Sequence, residues 1–169
     1  MAKQYDIKNL RQLEAVLDIF DKKTKKQMAK VLKKTAEGCY KEIVANSPHK
    51  TGSYIASHRI GVNAVDGSDT VYSKKNPVAK GTAQLAALKE LSKLDKVTAE
   101  DTIYISNSVG FSNPNHYSWA ANVEYYGWPP ENAGGYLVYE KAALFAINRI
   151  PQYVQYVKSQ GDLITGIVE

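Results

Sequence analysis

Cysteine is almost absent from this sequence, since Cys39 is the single one among 169 residues. One cysteine cannot close an intrachain disulfide, and a zinc site built on several cysteines is excluded as well. We therefore expect a chain that is made and kept in a reducing cytosol, or in a particle assembled there. Cys39 is expected to be a small buried apolar residue of the first helix.

Long apolar runs are missing too. The longest strictly apolar run is Ala142–Ile147, whereas a membrane-spanning helix needs about 20 residues. The first residues lead into charged sequence without the apolar core of a secretory signal. The sequence therefore predicts no contact with a membrane.

Recognisable catalytic signatures are also missing. His49, His58 and His116 are the only histidines, and no two of them have the i, i+4 spacing of a helical metal site. The chain has no Gly-x-Ser-x-Gly, no phosphate-binding loop and no dinucleotide fingerprint. An acid–base pair of His58 with Glu124 would suit a hydrolase or nuclease, but a histidine in a strand is more often a hydrogen-bonded structural residue. We predict that the protein is not an enzyme and has no catalytic, metal-binding or cofactor-binding residues.

What is present indicates one soluble globular domain over residues 1–169, with 44% hydrophobic and 23% charged residues. Tyrosine is abundant, with 12 residues against 3 phenylalanines, and such side chains suit protein interfaces. The net charge of +5 is uneven, because residues 1–50 hold 12 basic and 6 acidic residues. The basic character therefore belongs to the first helix.

Helical spacing of apolar residues predicts that first helix over about residues 9–45. The opposite half of the helical wheel carries seven lysines: Lys22, Lys23, Lys25, Lys26, Lys30, Lys33 and Lys34. Two interpretations of this face remain open. Either it contacts phosphates or an acidic partner, or it is a solvated face that keeps a long helix soluble. It has no arginine and no interleaved aromatic residue, which are the usual devices of nucleic-acid binding.

The remaining chain predicts an α+β fold, with a small, mostly antiparallel sheet packed with the long N-terminal helix and a C-terminal helix. The sheet region covers about 53–126, with strands at Tyr54–Val62 and 102–107, a brief return at 70–72 and an inserted helix at about 83–94 capped by Thr82. Periodicity does not decide whether 119–126 is a helical turn or a strand. The C-terminal helix covers about 137–158 and should kink or split at Pro151.

The connection after the first helix carries a resemblance to a known family. Pro48-x-x-Thr51-Gly52-x-Tyr54-x-x-Ser57 resembles a signature of tailed-bacteriophage head–tail joining and tail-completion proteins, in which it follows a long N-terminal helix. Lys50 stands where that family usually has an acidic residue.

Two further blocks follow in the family's order. Trp119 to Gly127, with Ala120, Glu124 and Gly127, is similar to the family's aromatic-Ala and Val-Glu-aromatic-Gly block, with one aromatic more than usual before Gly127. The segment Tyr136–Ala142 resembles the opening of the family's C-terminal helix. We expect Glu124 to accept backbone N–H bonds from the Thr51-Gly52 turn, because such charge-assisted bonds are strong.

The resemblance implies a structural virion protein without a cofactor, assembled in the host cytoplasm. It implies a homo-oligomeric ring at the head–tail joint or tail end that contacts tail tube, connector or terminator proteins and surrounds passing DNA. The loops 110–117 and 127–135 and the tail 163–169 are the expected contact segments. The candidate partner contacts are Tyr117, Tyr126, Trp128, Lys22, Lys26, Lys30 and Lys33. The alternative function is a small basic DNA-binding protein that uses the lysine face of the first helix.

Overall fold

One long helix organises the fold. In the computed structural model, which describes residues 10–109, 120, 122–126 and 135–160, helix α1 runs unbroken over Leu10–Asn46. Its 37 residues make it about 55 Å long at a rise of 1.5 Å per residue. It ends two residues before Pro48, whose ring disfavours helical geometry at the preceding residue.

The chain after Pro48 differs from the predicted strand Tyr54–Val62. A short helix α2, Ser53–Ala56, comes first, and strand β1 is limited to His58–Val62. Gly52 has a φ of +93°, which glycine adopts at little cost, and its carbonyl accepts the N–H of Ala56. The turn therefore starts a helix. Nearly every residue from Gly52 to Gly61 is buried. The pattern of buried positions therefore has no period of 2 or 3.6 residues that would distinguish a strand from a helix.

The predicted return strand at 70–72 is also wrong, because this segment pairs with side chains. The Ser57 hydroxyl accepts the N–H of Thr70 at 2.8 Å and donates to its carbonyl at 2.9 Å. The Ser53 hydroxyl makes the same two bonds with Tyr72, at 2.7 and 3.2 Å. Two serine side chains thus satisfy backbone groups that a strand ladder would otherwise pair.

The sheet of the described residues has two antiparallel strands, β1 and β2, with β2 covering Ile103–Asn107. The register sets His58 opposite Asn107 and Val62 opposite Ile103. Between the strands lie helix α3, Lys80–Leu88, and a 3₁₀ helix, Lys89–Leu94. Helix α3 thus begins earlier than predicted, and its N-cap is Ala79, not Thr82.

The C-terminal helix α4 spans Val138–Ser159 and lies antiparallel against α1. Its start, with Val138 and Ala142, packs on Ile43, whereas its end brings Tyr156 beside Lys34. Pro151 lies inside α4 without splitting it, so the predicted split does not occur.

Two apolar clusters hold these elements together. The larger one joins α1, α2, β1 and α3 around Tyr40, Val44, Ile55 and Ile60. The smaller one joins α1 to α4, and Cys39 packs against it half-buried. Burial raises the pKa of the Cys39 thiol. The predicted α+β class, with two long helices and a small antiparallel sheet, is confirmed.

Candidate functional site

The first sequence block, which runs from Pro48 to Ser57, forms one turn between α1 and β1. Val78 donates its N–H to the Thr51 carbonyl at 3.1 Å, which attaches the turn to the approach of α3. A Cβ on Gly52 would overlap the side chain of Val78, so this position requires glycine for space as well as for its positive φ. Ser57 completes the block by binding Thr70.

Glu124, from the second block, lies at the centre of a buried junction. It belongs to a π-helical turn, Asn122–Tyr126, and its side chain is buried. One carboxylate oxygen accepts the hydroxyl of Tyr54, and the other accepts the N–H of Tyr139 at 3.2 Å. The junction of Tyr54, Glu124 and Tyr139, which we call the Glu124 junction, joins all three blocks.

The Tyr139 bond makes Glu124 the cap of helix α4. The N-cap residue Leu137 has a φ of +50° and no side-chain capping bond of its own. Its N–H binds the Glu124 carbonyl at 3.2 Å instead, while the carboxylate binds the second helical residue. A negative charge at a helix N-terminus is favourable, because the free N–H groups there carry partial positive charge.

Gly135 allows the backbone of this cap to close. It has a φ of +71°, and a Cβ there would overlap the Glu124 carbonyl oxygen. The neighbouring Tyr136 N–H binds the Val123 carbonyl at 3.1 Å. Because the π-helical turn and the chain before α4 touch backbone to backbone, a side chain at residue 135 has no room.

His58 lies next to this junction and is completely buried. Its Nε2 is 2.7 Å from the Ser47 hydroxyl, which itself donates to the Ile43 carbonyl. On the other side, Nδ1 is 2.9 Å from the Tyr139 hydroxyl and 3.0 Å from the Asn107 amide nitrogen. From these partners we assign the neutral tautomer, in which Nε2–H donates to Ser47 and Nδ1 accepts hydrogen bonds from Tyr139 and Asn107.

Burial, and secondarily the positive charge of Arg59, lowers the pKa of His58 from 6.5 to about 3. The ring is therefore neutral at physiological pH, and both of its nitrogens have partners within the fold. Burial also raises the pKa of Tyr54 and Tyr139. The hydrogen bonds of these groups hold the elements together.

The structure corrects one expectation about Glu124. Its carboxylate binds Tyr54 and Tyr139, not the backbone of the Thr51-Gly52 turn. In the hydrolase alternative Glu124 would pair with His58, but Tyr139 lies between them and gives its N–H to Glu124 and its hydroxyl to His58.

Sequence reasoning missed three polar residues around the junction. The Tyr40 hydroxyl lies 2.9 Å from the His58 carbonyl and 3.0 Å from that of Ala87, which ties α1 to β1 and α3. The buried Arg59 donates to neutral acceptors, including the Ala56 carbonyl at 2.6 Å. Asn107 donates to the Tyr54 carbonyl at 2.7 Å. The sequence offers no apolar alternation that singles them out, since Arg59 stands between His58 and Ile60 and Asn107 stands between Ser106 and Ser108.

The candidate partner contacts are only partly described. Lys22 and Lys26 are exposed, whereas Lys30 and Lys33 are half-buried. Lys33 donates to the Asp95 carbonyl at 2.6 Å, so this lysine face lies partly against the body. Of Tyr126 only the backbone is described, and Gly127, Trp128, Tyr117 and the three contact segments lie outside the described residues, except for Gly135.

The described residues contain no group of three or more His, Cys, Asp or Glu side chains placed to hold a metal ion. No helix in this part of the chain is both long and apolar enough to cross a bilayer. Comparison with protein-family models, curated proteins and solved structures finds no match.

Proposed function

We propose that this protein is a structural component of a tailed-phage virion that closes into a homo-oligomeric ring at the head–tail joint or tail end. In that position it contacts neck or tail proteins, and the genome passes through the lumen. The observation that carries the proposal is the Glu124 junction. Tyr54, Glu124 and Tyr139 come from the three sequence blocks of the resemblance, and they bind each other directly.

This contact supports the proposal because the blocks are far apart in the chain. Tyr54 and Glu124 are separated by 70 residues, and Glu124 and Tyr139 by 15. Short sequence matches that arise by chance have no reason to meet in one buried cluster. The blocks act together as a structural joint, which leaves the surface of the protein for contacts with partners.

One surface suits contact between copies. Helix α4 exposes three large apolar residues: Leu144 by 56%, Ile147 by 59% and Ile150 by 37%. Their spacing of three places them along one side of the helix. An exposed apolar strip of this kind is typical of an interaction site, and a ring needs such a strip to meet a different surface of the next copy. Trp128, Tyr126 and Tyr117 remain predicted anchors of the same assembly.

The experiment is the mass of the protein in solution over a concentration series, at low and high salt, with and without purified tail tubes. We expect a closed ring, or a monomer that becomes a ring on tail tubes. Ile147→Lys should prevent assembly and leave the monomer folded, because this side chain is exposed. Leu85→Lys is the matched control, because Leu85 is 67% exposed on α3 and away from the strip.

A protein that stays monomeric and ignores tail tubes would refute the proposal. If its mass then shifts only with duplex DNA, and the shift disappears as salt rises, the DNA-binding alternative replaces it. Lys22 and Lys26, which are exposed on α1, would be the first residues to substitute in that case.

A further inference from the structure

A groove follows the lysine face of α1. It consists of two adjoining cavities of about 480 and 340 Å³, which share Lys30 and Lys33 as lining residues. Lys25, Lys26 and Lys34 line it further along the same helix. We call it the lysine groove.

The opposite wall of the lysine groove is largely apolar. The 3₁₀ helix contributes Leu91 and Leu94, the following loop contributes Val97, and the end of α4 contributes Tyr156 and Val157. The Tyr156 side chain is 50% exposed, so its ring is available for contact. Lys25 already pairs with Asp21 and Glu100, and Lys34 pairs with Glu37, so ligand carboxylates would have to exchange with these exposed and individually weak ion pairs. A ligand that fits both walls carries carboxylates on one side and aliphatic groups on the other.

This chemistry favours a peptide over DNA. Phosphate contacts make no use of leucine and valine surfaces, and none of the described residues that line the groove is an arginine, which could bind phosphate in a bidentate manner. Two carboxylates, Glu37 and Asp95, also line the groove and would repel a continuous phosphate backbone. An acidic, aliphatic peptide can place its few charges between them.

The chain itself contains such a segment, and it begins at the rim of the groove. Gln160 directly follows α4 and is the last described residue of the chain, and it lines the larger cavity. The next nine residues are Gly-Asp-Leu-Ile-Thr-Gly-Ile-Val-Glu, which combine Asp162 and Glu169 with four large aliphatic residues and contain no basic residue. They lie outside the described residues.

We propose that segment 161–169 binds in the lysine groove of its own chain. Its length suffices, since nine extended residues span up to about 30 Å, whereas Lys34 and Lys25 are about 14 Å apart along α1. A segment tethered at the rim also has an effective concentration in the millimolar range, so a weak complementary contact is enough to fill the groove. Residues 163–169 would then not be available for the partner contact expected of them in the ring.

Disulfide trapping in the chain of 169 residues tests this proposal. In a Cys39→Ser background, Lys33→Cys is combined with Ile164→Cys, and the rate of disulfide formation is measured under mild oxidation. The matched control places the first cysteine at Gln155→Cys, which is exposed on α4 near Gln160 but does not line the groove. We expect about tenfold faster trapping at residue 33 than at residue 155, as for a segment held in place and not merely tethered.

Two further variants make the expectation specific. Adding Asp162→Lys should slow trapping at residue 33 and leave trapping at residue 155 unchanged, and high salt should act in the same direction. Thermal melts of each variant check that the fold persists, so that slow trapping is not mistaken for unfolding.

Equal rates at residues 33 and 155 would overturn the proposal. Mixing light and heavy isotope-labelled chains identifies the source of the segment, and crosslinks between differently labelled chains would overturn binding within one chain and assign the groove to a second copy. If duplex DNA protects Lys33→Cys from alkylation in a chain that shows no preferential trapping, the groove is a DNA contact instead.

Discussion

The hydrogen bond between Tyr54 and Glu124 is the interaction on which the Glu124 junction depends most. The Glu124 carboxylate is buried and has one other assigned hydrogen-bond donor, the Tyr139 N–H. Tyr54→Phe removes one donor and keeps the ring in place. Glu124→Gln keeps the shape of the side chain and removes the charge at the start of α4. Both substitutions should therefore destabilise the fold without creating a large cavity.

The magnitudes follow from the chemistry of the two groups. A hydrogen bond to a charged group contributes about 1.5–3 kcal/mol, so Tyr54→Phe should lower the free energy of unfolding by about that amount. For Glu124→Gln we expect a loss of about 1–3 kcal/mol, because the charge at the N-terminus of α4 is lost and the Tyr54 bond is weakened. In the double variant the shared bond is lost only once, so the two effects should fall short of additivity by about 1–2 kcal/mol.

The assay is equilibrium unfolding in urea of the parent, both single variants and the double variant at pH 7. Tyr125→Phe is the matched control, because Tyr125 lies in the same π-helical turn but is 67% exposed. It should change stability by less than about 0.5 kcal/mol. If the two losses add within about 0.3 kcal/mol, or if Tyr54→Phe is as stable as the parent, the proposed role of the bond is refuted.

Three further predictions concern single groups. Because the pKa of His58 is lowered to about 3, the unfolded chain binds the proton first, and the free energy of unfolding should fall as the pH decreases from 6.5 towards 3. Urea titrations at pH 7, 6, 5 and 4 check this, and a flat profile contradicts it. Burial raises the pKa of Tyr40. The contribution of its hydroxyl to stability is therefore complete below the unfolded pKa of about 10 and is lost as the pH rises above that value. Tyrosinate absorbance should show a fraction of the tyrosines that titrates only when the protein unfolds. Gly135→Ala should lower the free energy of unfolding by more than about 1 kcal/mol, because of overlap with the Glu124 carbonyl and a positive φ. Gly81→Ala, with open space on helix α3, should raise it by about 0.5–1 kcal/mol, and equilibrium unfolding in urea measures both.

The parts of the fold that the sequence predicts well are those with one exposed and one buried face. Helices α1 and α4 begin and end within one residue of their expected bounds, because their apolar residues recur at helical spacing and Pro48 marks the end of the first. The strand at His58–Val62 is confirmed, whereas residues 54–56 were mistaken for part of it because the segment is buried on nearly all sides. A segment buried on every side gives no alternation, and the β-favouring residues Tyr54 and Ile55 then pointed to a strand.

The partners of Glu124 were not predicted. Glu124 was expected to accept backbone N–H bonds from the Thr51-Gly52 turn, and it binds the Tyr54 hydroxyl instead. Its bond to Tyr139 depends on how the chain enters α4, with Leu137 in the left-handed region and Gly135 against the Glu124 carbonyl. A non-glycine residue in that region is uncommon and leaves no signature in the sequence, so tertiary packing alone decides it.

The buried polar residues determine which substitutions are suitable for testing function. His58, Glu124 and Arg59 are the residues a catalytic reading would select, yet each is buried and bound by the fold. Their burial is costly unless every partner is present, so substitutions there should act through stability before any other property. Surface features have no such constraint: the α4 strip and the lysine groove can be changed at exposed positions while the Glu124 junction stays intact. Variants of those two surfaces that fold normally are therefore the ones that can separate assembly from stability.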